Sequence, residues 1–218
     1  NGRAMVFEDE DDYAAFVALL GEACDREPMR VVGCCLLPNH FHLLLWPPDD
    51  GDLSRWMQWL ITSHVRRHHR RYGTSGHVWQ GRYKSFLVQP TRAAAEARRR
   101  GVVEGGDAVL AVLRYIERNP VRAGLATSAE AWPWSSAHWW SEPDAAPDFW
   151  RRAWYNRPED WLGFVNRPQN EKELAALRRC VKRGCPFGRE AWVKQMARDY
   201  DLETTLRPRG RPRKQQEK

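Results

Sequence analysis

Apolar and polar residues alternate along this chain in two distinct periods. In DDYAAFVALLGEACDRE, apolar side chains recur at Tyr13, Phe16, Val17, Leu20 and Cys24, the three-and-four spacing of a helix with one buried stripe, with Asp11 or Asp12 as its cap. MRVVGCCLL and HFHLLLW are short apolar runs separated by Pro38 and Asn39, residues with turn chemistry, and predict a hairpin. After Pro47, Pro48 and Gly51 break the chain, Leu53, Trp56, Met57, Leu60, Ile61 and His64 trace a second helix that ends in RRHHRRYG. HVWQGRYKSFLVQ reads as a further strand with Gly81 as a bulge, and TRAAAEARRRGVVEGG as a short helix and a loop. DAVLAVLRYIERNP then carries Val109, Val112, Leu113 and Ile116 on one stripe, with Asp107 as cap and Pro120 beyond the end. Past the loop SEPDAAPD, Asn170 and Glu173 form a capping pair before ELAALRRCVKR, and GREAWVKQMARDY is another amphipathic segment. The elements predict an α+β fold, helices packed on a mostly antiparallel sheet, followed by a small α-helical C-terminal region. The order fits a ferredoxin-like β-α-β-β-α-β arrangement whose first strand is missing.

Composition sharpens this picture in three ways. An apolar content of 42% in 218 residues suits an ordinary core, no apolar run approaches a membrane span, and the first residue is not an initiator Met, so the chain reads as starting partway through its parent. Five cysteines without C-x-x-C spacing favour neither a disulfide framework nor a zinc ribbon, and predict a cytoplasmic protein. The net charge of +7 is segregated: Ser54 to Gln89 holds Arg55, Arg66, Arg67, Arg70, Arg71, Arg82 and Lys84 with no acid, and the tail from Arg207 is basic again. Long stretches of one sign interleaved with aromatic residues predict a polyanionic partner, DNA above all, and make these residues candidate phosphate contacts.

The candidate chemistry starts at LLPNHFHLLLWP. On a strand, His40 and His42 share one face while Phe41 takes the other, a chelating arrangement of two good transition-metal ligands; a hydrogen-bonded core pair is the competing reading. On the helix of residues 107–120, Tyr115 flanks the apolar stripe and Asn119 follows one turn later on nearly the same line. Packing is the commoner fate of a helix tyrosine, and Asn119 also fits a residue that merely ends the helix before Pro120. His64, His68, His69 and His77 read as surface or phosphate-contacting residues, and Trp79, Tyr83, Trp139 and Trp140 as base-stacking candidates or core.

Taken together, LPNHFHLLLWP, GHVWQGRYKSF, YIERNPVRAGL and WPWSS resemble the REP-associated tyrosine transposases, relatives of the single-tyrosine HUH transposases of bacterial insertion sequences, over residues 1–140. The resemblance implies that His40 and His42 bind a divalent ion, Mg²⁺ or Mn²⁺, with Asn119 completing the site, and that Tyr115 is the nucleophile that cleaves and rejoins single-stranded or hairpin DNA through a 5′-phosphotyrosine. It implies REP-like palindromes as targets, no membrane partner, and a monomer or homodimer. Residues 1–140 would form the HUH domain, 141–206 a helical extension, and 207–218 a disordered tail, where Arg209, Gly210, Arg211 and Pro212 match an AT-hook core that reads narrow A·T minor grooves. Two departures stand out: only NGR remains of the family's N-terminal RGN turn, and the stretch 91–106 is long for the connection before the tyrosine helix. A host-adopted hairpin binder without catalysis is the alternative function, and an unrelated metallohydrolase a third, disfavoured by the lack of further metal-ligand spacing.

Overall fold

The computed structural model of the chain describes residues 5–90, 107–152 and 157–207. A short segment, Met5 to Glu8, leads into helix α1 (Glu10–Arg26), which is followed by strands β1 (Arg30–Leu37) and β2 (His40–Trp46) and helix α2 (Asp52–Tyr72). Then come α3 (Ala108–Glu117), α4 (Asn119–Arg122), α5 (Ser136–Ser141), a 3₁₀ turn at Pro143–Ala145, α6 (Asp148–Arg152), α7 (Trp161–Asn166), α8 (Glu171–Arg183), α9 (Glu190–Asp199) and α10 (Glu203–Leu206).

The strands pair antiparallel in a hairpin closed by Pro38 and Asn39, and they are the whole of the sheet among the described residues. The fold is thus a mixed one of helices around a two-stranded antiparallel ribbon, and the predicted hairpin and three principal helices are all present. Both faces of the ribbon are covered, which is why β1 is buried at seven of its eight positions instead of alternating. On one face Val31, Cys34, Leu36 and Phe41 pack with Phe16 and Leu20 of α1 and Trp56 and Leu60 of α2. On the other face Cys35, Leu37 and Leu44 pack with Leu113 and Ile116 of α3, joined by Trp161, Leu174 and Leu177 from the later helices. The register slips between Val31 and Gly33, so Val32 is an extra residue that turns toward the α3 side. Gly33 lies under Leu113: a Cβ there would come within 2.4 Å of Leu113 Cδ2, so only glycine lets α3 settle this close to β1.

Three expectations need correction. Helix α1 is capped by Asp9, whose side chain accepts from Asp12 N; Asp11 and Asp12 lie in the first turn, where their charge still complements the helix dipole. Residues 77–89 do not form a strand. Arg82, Tyr83, Lys84 and Ser85 stay exposed, so no buried face stabilises an extended pairing there. The segment instead makes one isolated bridge, Val88 with Phe187, where Gln89 N donates to Phe187 O and Phe187 N to Leu87 O. His64 is not a surface residue but 5% exposed, boxed in by Phe7, Phe16 and Trp79, because it falls on the buried stripe of α2. Of the two readings of Trp139, core is the one that holds: it is 3% exposed. The predicted caps Asp107 and Asn170 are in place, accepting from Val109 N and from Glu173 N respectively. The predicted helix within 91–106 and the AT-hook residues Arg209 and Arg211 lie outside the described residues. Among those that are described, no helix is long and apolar enough to cross a membrane, and all five cysteines are free thiols.

Candidate active site

The site is assembled where β2 crosses α3. His40 and His42 turn to the same side of the ribbon, their rings 4.9 Å apart and nearly perpendicular, while Phe41 packs on the opposite side against Phe16 and Trp79. The two-residue period of a strand therefore does what the spacing predicts. Asn39 Oδ1 lies 2.6 Å from His40 Nδ1. An amide oxygen only accepts, so Nδ1 carries the proton and Nε2 keeps its lone pair, the same division of labour that orients imidazole ligands in metal centres. Burial and the neighbouring charges of His40 and Arg122 push the His42 imidazole down to about 3, and burial also lowers His40. Both rings are neutral at physiological pH, the form that binds a cation.

Tyr115 comes from the flank of α3, which faces β2 because the Val112, Leu113 and Ile116 stripe is buried against the sheet. Its ring centre lies 6.0 Å from that of His42, so the tyrosine meets the imidazole pair at one corner of the fold. Asn119, one turn on, is close as the spacing implies, but its side chain is otherwise engaged. Its Nδ2 donates to Tyr115 O at 3.1 Å and its Oδ1 accepts from Arg122 at 2.6 Å. The oxygen read as a metal ligand holds a guanidinium here, and the two uses compete.

Arg122 is the functional residue that the linear reading passed over. Its guanidinium carbon sits 4.3 Å from the centre of the Tyr115 ring, and it donates to Tyr115 O at 2.8 Å and to Gln169 Oε1 at 3.1 Å. One half-buried cation thus fixes the tyrosine's backbone, stacks on its ring and ties the corner to the segment before α8. The sequence signal was the YIERNPVR run itself: Arg122 follows Tyr115 by seven residues, two helical turns, which returns it to the same flank.

Two residues from Tyr115, Glu117 serves a different purpose. Fully buried, it accepts from Ser136 Oγ at 2.6 Å, Arg157 at 2.7 Å and Trp161 Nε1 at 2.7 Å. The Arg157 guanidinium carbon lies 5.1, 5.3 and 5.7 Å from the rings of Trp140, Trp150 and Trp161, so one carboxylate and three indole faces surround the charge. WPWSS feeds this node: Trp134 O accepts from Leu36 N, Trp132 Nε1 donates to Leu36 O, and Ser136 joins Cys34 N to Glu117.

The candidate phosphate contacts divide in two. Arg66, Arg67 and Arg70 on α2, and Arg82 and Lys84 beyond it, are exposed and form no ion pair among the described residues. Arg71 is bound to Asp9 at 2.5 Å and Asp12 at 3.3 Å, and Arg55 to Asp52, so much of their charge is locally answered. Among the described residues no cluster of three His, Cys, Asp or Glu groups offers a complete metal cage. His40 and His42 fit a divalent ion as a pair of imidazoles whose remaining positions a phosphate and water would fill; Asn119 fits only if Arg122 lets its oxygen go.

Comparison with known proteins agrees with the motifs. Residues 1–98 match the family of IS200-like transposases. A Haemophilus influenzae protein named as a REP-associated tyrosine transposase is 26% identical over 140 residues, covering 59% of this chain and 70% of its own. A solved structure of a REP-associated tyrosine transposase bound to a REP hairpin aligns at 17% identity and a TM-score of 0.47, covering 78% of this chain and 87% of that one.

Proposed function

We propose, from the match of residues 1–98 to the IS200-like transposase family, that this chain cuts and rejoins single-stranded or hairpin DNA, with REP-like palindromes as its targets. The observation that carries the reading is the meeting of Tyr115 with His40 and His42 on one face of the ribbon. Tyr115 Oη attacks the phosphorus as the bond to the 3′ oxygen breaks; the 3′ oxygen leaves and takes up a proton, and the strand stays joined as a 5′-phosphotyrosine. Attack by a new 3′ hydroxyl reverses the step and restores the phenol, so the bond energy is conserved. A divalent ion, Mg²⁺ or Mn²⁺, held by His40 and His42 would polarise the phosphoryl group and steady the leaving oxygen. Arg122, over the Tyr115 ring, holds the nucleophile in its attacking position and opposes the negative charge that gathers beside it. Arg66, Arg67, Arg70, Arg82 and Lys84 would track the phosphates, with Arg209 and Arg211 of the tail reading A·T-rich duplex nearby. In this reading the β1–β2 ribbon and the helices beside it are the core of a ferredoxin-like HUH domain, and residues 141–206 its helical extension.

A second reading, hairpin binding without cleavage, is favoured by one observation: Asn119 Oδ1 is held by Arg122, which leaves two imidazoles as the protein ligands in the site. One experiment separates the two. The protein is incubated with a pool of hairpin and single-stranded oligonucleotides and Mg²⁺ or Mn²⁺, and denaturing gels are read for covalent protein–DNA adducts. Adducts that need the metal and vanish in Tyr115→Phe, with DNA binding retained, are expected. Retained binding with no adduct from the unaltered protein supports the second reading, and adducts that persist in Tyr115→Phe overturn the assignment of the nucleophile.

A further inference from the structure

Beside His40 lies an open pocket of about 220 Å³. Its lining is the hairpin turn, Leu37 to His40, together with Met5 and with Ala123 and Leu125 from the turn after α4. Met5 and Leu125 are 55% and 40% exposed, two of the few large apolar side chains that the described part of the fold leaves in water, and both border this one depression. The backbone holds them there. Val6 N and Phe7 N donate to Pro38 O at 2.7 and 3.0 Å, which seats the Met5 segment on the turn, and the side chains of Val6 and Phe7 anchor it in the core at 1% exposure. Leu125 N donates to Pro120 O at 2.9 Å, after Gly124 has turned the chain at φ +70°. The pocket is therefore preformed, with apolar sides and Asn39 and His40 as its polar rim.

We infer that this pocket receives one unpaired nucleobase of the DNA strand, the base next to the phosphate that Tyr115 attacks. The inference rests on the strand-cleavage reading and adds a binding site to it. His40 both lines the pocket and belongs to the imidazole pair, so an occupant sits one side chain away from the reacting phosphate, the separation between a base and its own backbone. The volume is below that of pockets that enclose drug-sized ligands and suits a single flat ring system. Two exposed apolar side chains in one lining offer a base the kind of contact that makes stacking tolerant of sequence, and a base held in a duplex could not enter. Because Asn39 Oδ1 faces His40 Nδ1, the amide nitrogen of Asn39 is the group turned to other partners, a donor for a base carbonyl. A base seated there would also bear on the bond that orients His40.

Methionine methyl NMR tests this on the full chain, because its four methionines include Met5 in the pocket and Met29 and Met57 buried at 6% and 3% as internal references. The probes are pentamers of thymidine, of deoxyadenosine and of abasic sugar-phosphate, with binding followed separately by fluorescence anisotropy. The Met5 signal is expected to move by ring current with the base-bearing pentamers and to stay in place with the abasic one, Met29 and Met57 remaining fixed. Leu125→Trp, which fills the pocket from an exposed position, is expected to abolish the Met5 shift and weaken the base-bearing pentamers about tenfold. Pentamers that bind while Met5 stays unmoved, or that move it equally with and without bases, overturn the pocket and leave the cleavage reading standing. No pentamer binding at all by anisotropy overturns the nucleic-acid reading, and the pocket with it.

Discussion

Tyr115 and Glu117 stand two residues apart on α3 and end in opposite kinds of surroundings. Glu117 is a closed node: both carboxylate oxygens are occupied by donors from Ser136, Arg157 and Trp161, and its side chain has no exposure. Tyr115, His40 and His42 form a corner that opens at one end: Tyr115 is 8% exposed, His42 is half-buried and His40 is exposed. They are held by Arg122, Asn39 and the packing of α3 on the ribbon, while the His40 ring, set nearly perpendicular to that of His42, lies exposed beside the hairpin turn. Polar groups that fold a protein are satisfied by the protein; polar groups that work on a ligand are positioned by it and completed from outside. The indoles of Trp140, Trp150 and Trp161 and a buried ion pair maintain the first condition beside Glu117, two residues along α3 from the second.

The largest effects should come from exchanging single side chains on the two sides of this contrast. Tyr115→Phe removes one oxygen and is expected to eliminate adduct formation while leaving the urea midpoint nearly unchanged. Glu117→Ala should do the reverse, costing about 3–5 kcal/mol because it strands the Arg157 cation inside the core. Pairing Glu117→Ala with Arg157→Met, which removes the stranded charge, is expected to recover part of that loss. If Tyr115→Phe proved the destabilising change and Glu117→Ala the harmless one, the division into closed node and open corner would be wrong.

Arg122 sits on the boundary and sharpens the comparison, since its bonds are structural and its position over the ring is not. Arg122→Met is expected to slow adduct formation up to about 100-fold through misplacement of the tyrosine, and to cost about 1–2 kcal/mol of stability for the lost bonds to Tyr115 O, Asn119 and Gln169. Arg122→Lys keeps the charge and loses the fork, so it should restore the dependence of rate on ionic strength more than the rate itself. Equal adduct rates in all three proteins would place Arg122 wholly on the structural side.

How much of this was legible in the sequence follows from distance along the chain. The hairpin, the shared face of His40 and His42, and the caps Asp107 and Asn170 are set by neighbours within four residues, and periodicity finds them. Tyr115 and Asn119 were rightly placed together, but that Asn119 turns to the Tyr115 carbonyl and to Arg122 is a matter of rotamers, which spacing does not carry. The pairing of Glu117 with Arg157 spans forty residues and has no local signature. The segment 77–89 misled because its apolar residues suggest a strand, whereas its only ladder partner among the described residues lies near Phe187, about a hundred residues on. His64 was visible on the apolar stripe of α2, and its charge type, not its position, suggested the surface.

His64 supplies the smallest of the expected effects and tests whether a histidine can belong to the closed class. Burial among Phe7, Phe16 and Trp79 is the main cause that lowers it to about 4, with His68 and Arg67 acting in the same direction and Asp12 against them. An unfolded chain protonates this imidazole near 6.5, so between about 6.5 and 4 the unfolded state binds the extra proton and the folded state does not. Stability from this group is therefore intact above pH 6.5 and declines as the pH falls toward 4, by up to about 2 kcal/mol between pH 7 and pH 5. His64→Leu, which has no proton to gain, should lose correspondingly less over the same interval when both proteins are unfolded in urea at the two pH values. Matching losses would mean that His64 takes up its proton in the folded protein as readily as in water, and α2 would then carry an open histidine in addition to the pair on β2.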